Sequence, residues 1–249
     1  MKRRIGMSEG INKEGTSGPL ARIVGIITSP TETFREIASK PSFVAPLIVI
    51  IGFFIIFALV YTSKTDMAEM MRIQLEKSGR LDQIPLDQQE AVLSKAAKIG
   101  SYSMVIGGAI AIPLVFVVVA AVLHLVGTLA NAETNFKRVF SVTTYSFIPG
   151  IFHSILGTLL LLLKRINTTS IESLVKSNLG AMLGYELGKG ALSKALYSVD
   201  LFTIWSLVLL GIGYSQVSKF STKRSIIIVF ALWALWIFVR VTLGGVFGG

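Results

Sequence analysis

The sequence predicts an all-α polytopic membrane protein, a five-transmembrane-helix bundle with interfacial amphipathic helices, and three observations carry that expectation. Five long apolar runs, Val44 to Tyr61, Ser103 to Leu129, Tyr145 to Leu163, Leu201 to Val217 and Ser225 to Val246, hold no Asp, Glu or Lys and a single Arg. Each is long enough to cross roughly 30 Å of hydrocarbon, which takes about 17 to 25 apolar residues. The mean hydropathy is +0.69, and 15% of residues are charged where soluble domains carry roughly 25%. The spans and their connections consume the 249 residues, so no room remains for a separate soluble enzyme domain of ordinary size.

The formal net charge of +10 comes from Lys and Arg set in short flanks beside the apolar runs. Without one continuous basic face, nucleic acid is not an expected partner; membrane lipids, including anionic head groups, are. Zero cysteines exclude disulfides, thiolate metal sites and a Cys nucleophile. The start MKRR is followed by no apolar core of a leader, so a cleaved signal peptide is not expected. Seven basic residues against four acids precede the first span, which places residues 1–43 in the cytoplasm. Five spans then put Lys137 and Arg138, and the turn with Lys219, Lys223 and Arg224, on the same side, with the C-terminus outside.

The elements follow in order. Ser29-Pro30-Thr31-Glu32 reads as a capping box with proline at the first helical position, opening a helix that stops before Pro41. Leu20, Ile23, Val24 and Ile27, then Phe34 and Ile37, repeat at helical spacing, so residues 19–40 are expected to lie on the membrane surface. After the first span, Thr65 to a stop at Gly79 and a second stretch opening at Pro85 predict a solvated helical hairpin running towards the second span. The connection after the third span begins with Thr169-Ser170-Ile171-Glu172, another capping box, and predicts an amphipathic stretch through about Leu196 resting on the outer interface.

Polar residues inside the spans are costly and are functional candidates by default. Arg240 lies about 22 Å along the fifth span at 1.5 Å per residue, and hairpin geometry places Asp200 within one helical turn of it. A structural Asp200–Arg240 ion pair is expected near the outer boundary; the competing arrangement has Asp200 capping the fourth span while Arg240 meets head groups. His124 and His153 are the only histidines, at different depths and with no third ligand, so both are expected to be hydrogen-bonded packing residues and no metal is predicted. Pro113 and Pro149 interrupt the second and third spans, as in helices that line a midplane site.

Gly184 to Gly190 superficially resembles a phosphate loop, yet its glycine spacing is short by one and Gly190 follows Lys189 where Ser or Thr is needed. Gly180, Gly184 and Gly188, and likewise Ser103, Gly107 and Ala111, read better as small-residue faces for close helix approach, which also suit self-association or contact with other membrane proteins. No HExxH or GxSxG is present, so hydrolytic chemistry has no visible constellation, and no cofactor is predicted.

The capped SPTETF segment before the first span, YSFIPG from Tyr145 to Gly150, and DLFTIWSLVLLGIG from Asp200 to Gly213, in this order and placement, resemble the prokaryotic branch of the Yip1 domain family of five-span membrane proteins. The resemblance runs from about residue 24 and makes 44–249 the Yip1-like membrane domain. It implies a cytoplasmic N-terminus, in agreement with the basic-residue count. Eukaryotic relatives work with Rab-type GTPases in vesicle trafficking, but their Asp-Leu-x-Gly-Pro signature is absent here, so that partner is not carried over.

The expected function is therefore that of a non-enzymatic integral protein of a prokaryotic cytoplasmic (inner) membrane, organising or scaffolding the membrane or its proteins. The alternative is a permease or transporter of lipid or small solute, whose path would involve Pro113, Tyr145, Pro149, His153 and Trp205. A wet midplane cavity lined by Tyr145, His153 and Trp205 would favour transport, and a solid apolar core would favour scaffolding.

Overall fold

The computed structural model describes residues 18–163, 171–187 and 190–246, with side chains described as far as Thr242. The described chain is helical throughout: α1 Pro19–Thr28, α2 Pro30–Ser39, α3 Val44–Lys64, α4 Met67–Lys77, α5 Leu86–Tyr102, α6 Gly108–Leu129, α7 Phe136–Ser146, α8 Pro149–Leu163, α9 Ile171–Leu174, α10 Leu179–Met182, α11 Gly190–Ser198, α12 Leu201–Ser218 and α13 Thr222–Val246. Five stretches are long and apolar enough to cross a membrane: Val44–Lys64, Leu86–Leu129, Phe136–Leu163, Leu201–Ser218 and Thr222–Thr242. The "near side" below is the side where α3 begins, and the "far side" is where it ends.

α12 is the central post. Of its most apolar window 56% is buried, against 17% for the second span and 11% for the fifth, and it packs against α13, α2, α7 and α8. Small residues allow this, because a Cβ on Gly211 would lie 2.8 Å from the Ile226 Cα and one on Gly213 would lie 2.4 Å from Val142 Cγ1. The buried Tyr214 hydroxyl donates to the Leu123 carbonyl at 2.8 Å, tying α12 to α6. Lys219, at φ 60°, ends the helix in the left-handed region and sends the chain back as α13. Its ammonium donates to Glu133 at 3.0 Å in the neighbouring near-side turn and holds that carboxyl below the usual range.

The third span starts at Phe136 and not at Tyr145. Lys137 and Arg138 interrupt the apolar pattern, yet they sit in the first turn of α7, which Asn135 caps by accepting from their backbone N–H groups at 3.0 and 3.4 Å. Beyond them α7 is buried from Val139 to Ser146. Four hydroxyls in that stretch, of Ser141, Thr143, Thr144 and Ser146, donate to the carbonyl four residues back at 2.8 to 2.9 Å. Satisfied in this way, they are tolerated in an apolar core. Proline at 149 then separates α7 from α8 at Phe147 and Ile148.

The second span continues the far-side hairpin without a break. α5 passes through a π-helical segment, Ser103–Gly107, into α6. α4 is capped by Asp66, which accepts from the Glu69 N–H at 2.9 Å, and ends at Gly79 with φ 65°. The expected helical hairpin is therefore present, packed pairwise as α4 on α5.

The N-terminal helix pair departs from expectation. Residues 19–40 do not simply lie on a membrane surface: Ile26, Phe34 and Ile37 are fully buried in the main core, and α2 packs on α12 and α7. Only α1 keeps an outward apolar face, Leu20, Val24 and Ile27. The Ser29 capping box does not form, because Ser29 N–H already donates to the Gly25 carbonyl at 2.8 Å and no side-chain cap bond is made. A feature with no sequence signal holds the pair to the first span. Arg22, 6% exposed, pairs with Glu36 at 3.1 Å and donates to the Lys40 carbonyl and the Ser42 hydroxyl at 3.0 Å each.

Of the two small-residue patterns, neither works as spaced. Gly107 has nothing near its open side, whereas a Cβ on Gly108 would lie 2.2 Å from the Phe54 ring. The extra residue of the π segment shifts the contact by one position. Gly180 receives the Tyr197 ring and Gly184 turns the chain at φ 74°, so these two are not one helical face. Gly188, like the Thr169-Ser170 start of the second far-side capping box, lies outside the described residues.

Candidate functional site

α12 has 18 residues, about 27 Å at 1.5 Å per residue. Its neighbour α8 continues ten residues past His153 to Leu163, about 15 Å further. The segment from 171 to 198 fills the space this leaves, and does so as three short helices where the sequence predicted one amphipathic stretch on the interface. Asn178 and the positive φ of Gly184 and Gly190 break the helix. Leu174 and Val175 are buried with Phe57, Tyr61 and Leu161 of the spans, and α11 packs on α13.

Main-chain bonds pin this segment to the start of α12. Leu201 N–H donates to the Ser177 carbonyl, and Leu179 N–H to the Val199 carbonyl, at 3.0 Å each. Asn178, 4% exposed, accepts from Ala181 N–H and donates to the Glu172 carbonyl, both at 2.8 Å. Asp200 caps α12 by accepting from the N–H groups of Phe202 and Thr203 at 2.9 and 3.1 Å. The Ser177 hydroxyl donates to the same carboxylate.

Between this collar and α8 lies a cleft of about 300 Å³. The side chains of His153, Glu172, Tyr197 and Asp200 line it, with Phe147 and Phe202 as apolar walls and Thr203 and Ser206 deeper along α12. The His153 ring meets Phe202 edge-on at 5.4 Å between centroids.

Of the residues singled out from the sequence, His153 and Asp200 share this cleft. Asp200 and Arg240 do not pair among the described residues. Asp200 spends its oxygens on the cap and on Ser177, while the exposed Arg240 guanidinium stands 5.3 Å from the Trp236 ring centre. The reason is the segment 177–179, whose backbone occupies the flank of Asp200. Asp200→Ala should therefore lower stability by about 1 to 2 kcal/mol, the usual loss for a removed cap, and Arg240→Ala by under about 0.5 kcal/mol. Melting of the two variants in one detergent checks this; equal losses would restore the ion pair.

Tyr145 is fully buried with a hydroxyl that meets no hydrogen-bond partner among the described residues, Trp205 stacks on Phe152 at 5.6 Å, and neither is among the described lining residues of the cleft. Pro149 opens α8 and Pro113 sits inside α6, where Phe116 stacks on Phe147 of the α7–α8 break at 4.8 Å. His124 is committed to Thr134, 2.8 Å from its Nδ1. Sequence reasoning missed Ser177, Asn178 and Ser206; the Asn178-Leu179 start was a usable cap signal, hidden by reading the whole stretch as one helix.

A family model for the Yip1 domain matches residues 24–243. Membrane protein YknW of Bacillus subtilis (strain 168) is 27% identical over 226 residues, which cover 88% of this chain and 89% of that protein. No solved structure matches. Since the matched range takes in α2, the α7–α8 break, the Asp200 cap and the fifth span, the chain belongs to the Yip1 domain family.

Proposed function

We propose that the chain is a non-enzymatic organiser of the membrane, acting through its lipid-facing surfaces on lipids, including anionic head groups, and on neighbouring membrane proteins or further copies of itself. The observation that carries this reading is the uneven burial of the spans. α12 is enclosed, whereas the second and fifth spans have only 17% and 11% of their apolar windows buried and turn residues such as Leu114, Val118, Leu235 and Phe238 outward. Surfaces of this kind meet acyl chains or other spans. The proline-hinged third span supports the same reading, because Tyr145 at its hinge is sealed in packing.

Reconstitution into vesicles tests it. Altered vesicle shape or lipid order without specific flux supports the organising role. The second reading, a permease, is favoured by one observation, the cleft beside the Pro149 hinge with His153, Glu172 and Asp200 in its lining; saturable flux abolished by His153→Ala would establish it and displace the first.

The proposed setting is the inner membrane of a prokaryote, near side cytoplasmic. With zero native cysteines, single-cysteine variants read this directly. An impermeant maleimide on intact cells should label Gln83→Cys and spare Lys223→Cys; the opposite pattern inverts the topology.

A further inference from the structure

We propose that the far-side cleft binds an organic ammonium cation, presented on a lipid head group or as a free amine. The acidic residues Glu172 and Asp200 are among its lining, and no Lys or Arg is among the described lining residues. Three aromatic rings, of Phe147, Tyr197 and Phe202, stand in the same walls. Carboxylate with aromatic faces suits a large, weakly hydrated cation, whose charge the ring faces attract once it is desolvated. A small divalent ion would instead demand a closed set of oxygens, and Asp200 has already given its oxygens to Ser177 and the α12 N–H groups.

A second observation points to an occupant. Ser206 is 2% exposed, lies in the cleft wall, and makes no hydrogen bond to another described residue. Its neighbours on the same bundle show the usual solution, a bond to the carbonyl three or four residues back, as in Ser215 and Ser218. Ser206 forgoes that bond, leaving a hydroxyl in the wall of the cleft. Such a group has a partner when a ligand with its own donor or acceptor enters.

Size and depth agree. About 300 Å³ is at the small end of the roughly 300 to 1,000 Å³ of ligand sites and suits a head group without its chains. The cleft opens at the start of α12, about 27 Å from that helix's other end, which is close to the far boundary of a hydrocarbon layer roughly 30 Å thick.

The test uses the full chain in nanodiscs of phosphatidylglycerol, titrated with choline and with ethanolamine, beside nanodiscs that also contain phosphatidylethanolamine or phosphatidylcholine. A free amine that binds and raises the melting temperature identifies a soluble ligand. Enrichment of the amine-bearing lipid over phosphatidylglycerol around the protein, without binding of the free amine, identifies the head group. In either case Glu172→Gln should weaken binding at least tenfold, and Ser206→Val, which fills the cleft, should do the same. Glu172 is exposed, so its variant folds and keeps the test decisive. No binding of any of these probes, or binding that both variants leave unchanged, overturns the proposal.

Discussion

Arg22→Ala is expected to destabilise the protein by about 2 to 3 kcal/mol and to release the N-terminal helix pair from the first span. The side chain is 7% exposed and joins three separate places: the Glu36 carboxylate of α2 at 3.1 Å, the Lys40 carbonyl and the Ser42 hydroxyl just before α3. Removing one partner from a buried pair typically costs about 3 to 5 kcal/mol. The lower figure applies here because the Glu36 side chain is 22% exposed and water screens what remains. The Lys40 carbonyl and Ser42 hydroxyl lose their donor as well, each at a modest cost. Arg22→Lys recovers the charge but not the fork that bonds Glu36 and the carbonyl together, so it should fall between. Arg35→Ala, on the exposed face of α2, should change stability by under about 0.5 kcal/mol. Denaturation of the three variants in one detergent, with limited proteolysis between α1 and α3, checks the order. An Arg22→Ala protein as stable and as protease-resistant as Arg35→Ala would show that the network contributes nothing.

That contrast marks where the sequence stops being informative. The five spans were legible because bilayer thickness imposes a length and a composition on each, and both survive in the linear pattern. The helix start at Asp66 lies beside the Thr65 start that the sequence offers, and Asp200 as a cap was one of two readings the spacing allowed, whereas the equally local cap at Asn135 went unread. Arg22 and Arg35 differ only in what stands opposite them after folding, and no local pattern carries that. α7 was hidden for a related reason. Its Ser and Thr residues look too polar for a span until their hydroxyls are seen to bond back to their own helix. The cleft was half legible. His153 and Asp200 stood out as polar groups in apolar runs, but the wall that completes it, from Glu172 to Tyr197, depends on a chain break and re-entry set by Asn178, Gly184 and Gly190 acting together.

Glycines pose the same problem more sharply, and here the expected effects are large and opposite. A methyl group on Gly213 would sit 2.4 Å from Val142 Cγ1 and 2.8 Å from Phe34 Cδ1, at the point where α2 and α7 both meet α12. Val142 and Phe34 are fully buried. Gly213→Ala should therefore cost about 2 to 3 kcal/mol, at the upper end of overpacking in a close-packed core. Val142→Ala alone should cost about 2 kcal/mol, as lost burial and a small cavity. Combined, the two should cost clearly less than their sum, with a coupling of about 1 to 2 kcal/mol, because removal of the valine methyls makes room for the new one. The recovery stays partial, since the Phe34 ring still stands 2.8 Å away. Gly107→Ala is the opposite case: nothing lies within 4 Å of its open side, and alanine is favoured over glycine in a helix by up to about 1 kcal/mol. Melting of the four variants in one detergent decides the matter. Additive losses for Gly213→Ala and Val142→Ala would mean that the two residues do not meet. Coupling would show that α7 meets α12 at Gly213, and the matching cycle of Gly213→Ala with Phe34→Ala, expected to couple in the same way, would show that α2, although it precedes the first span, is part of the folded membrane domain.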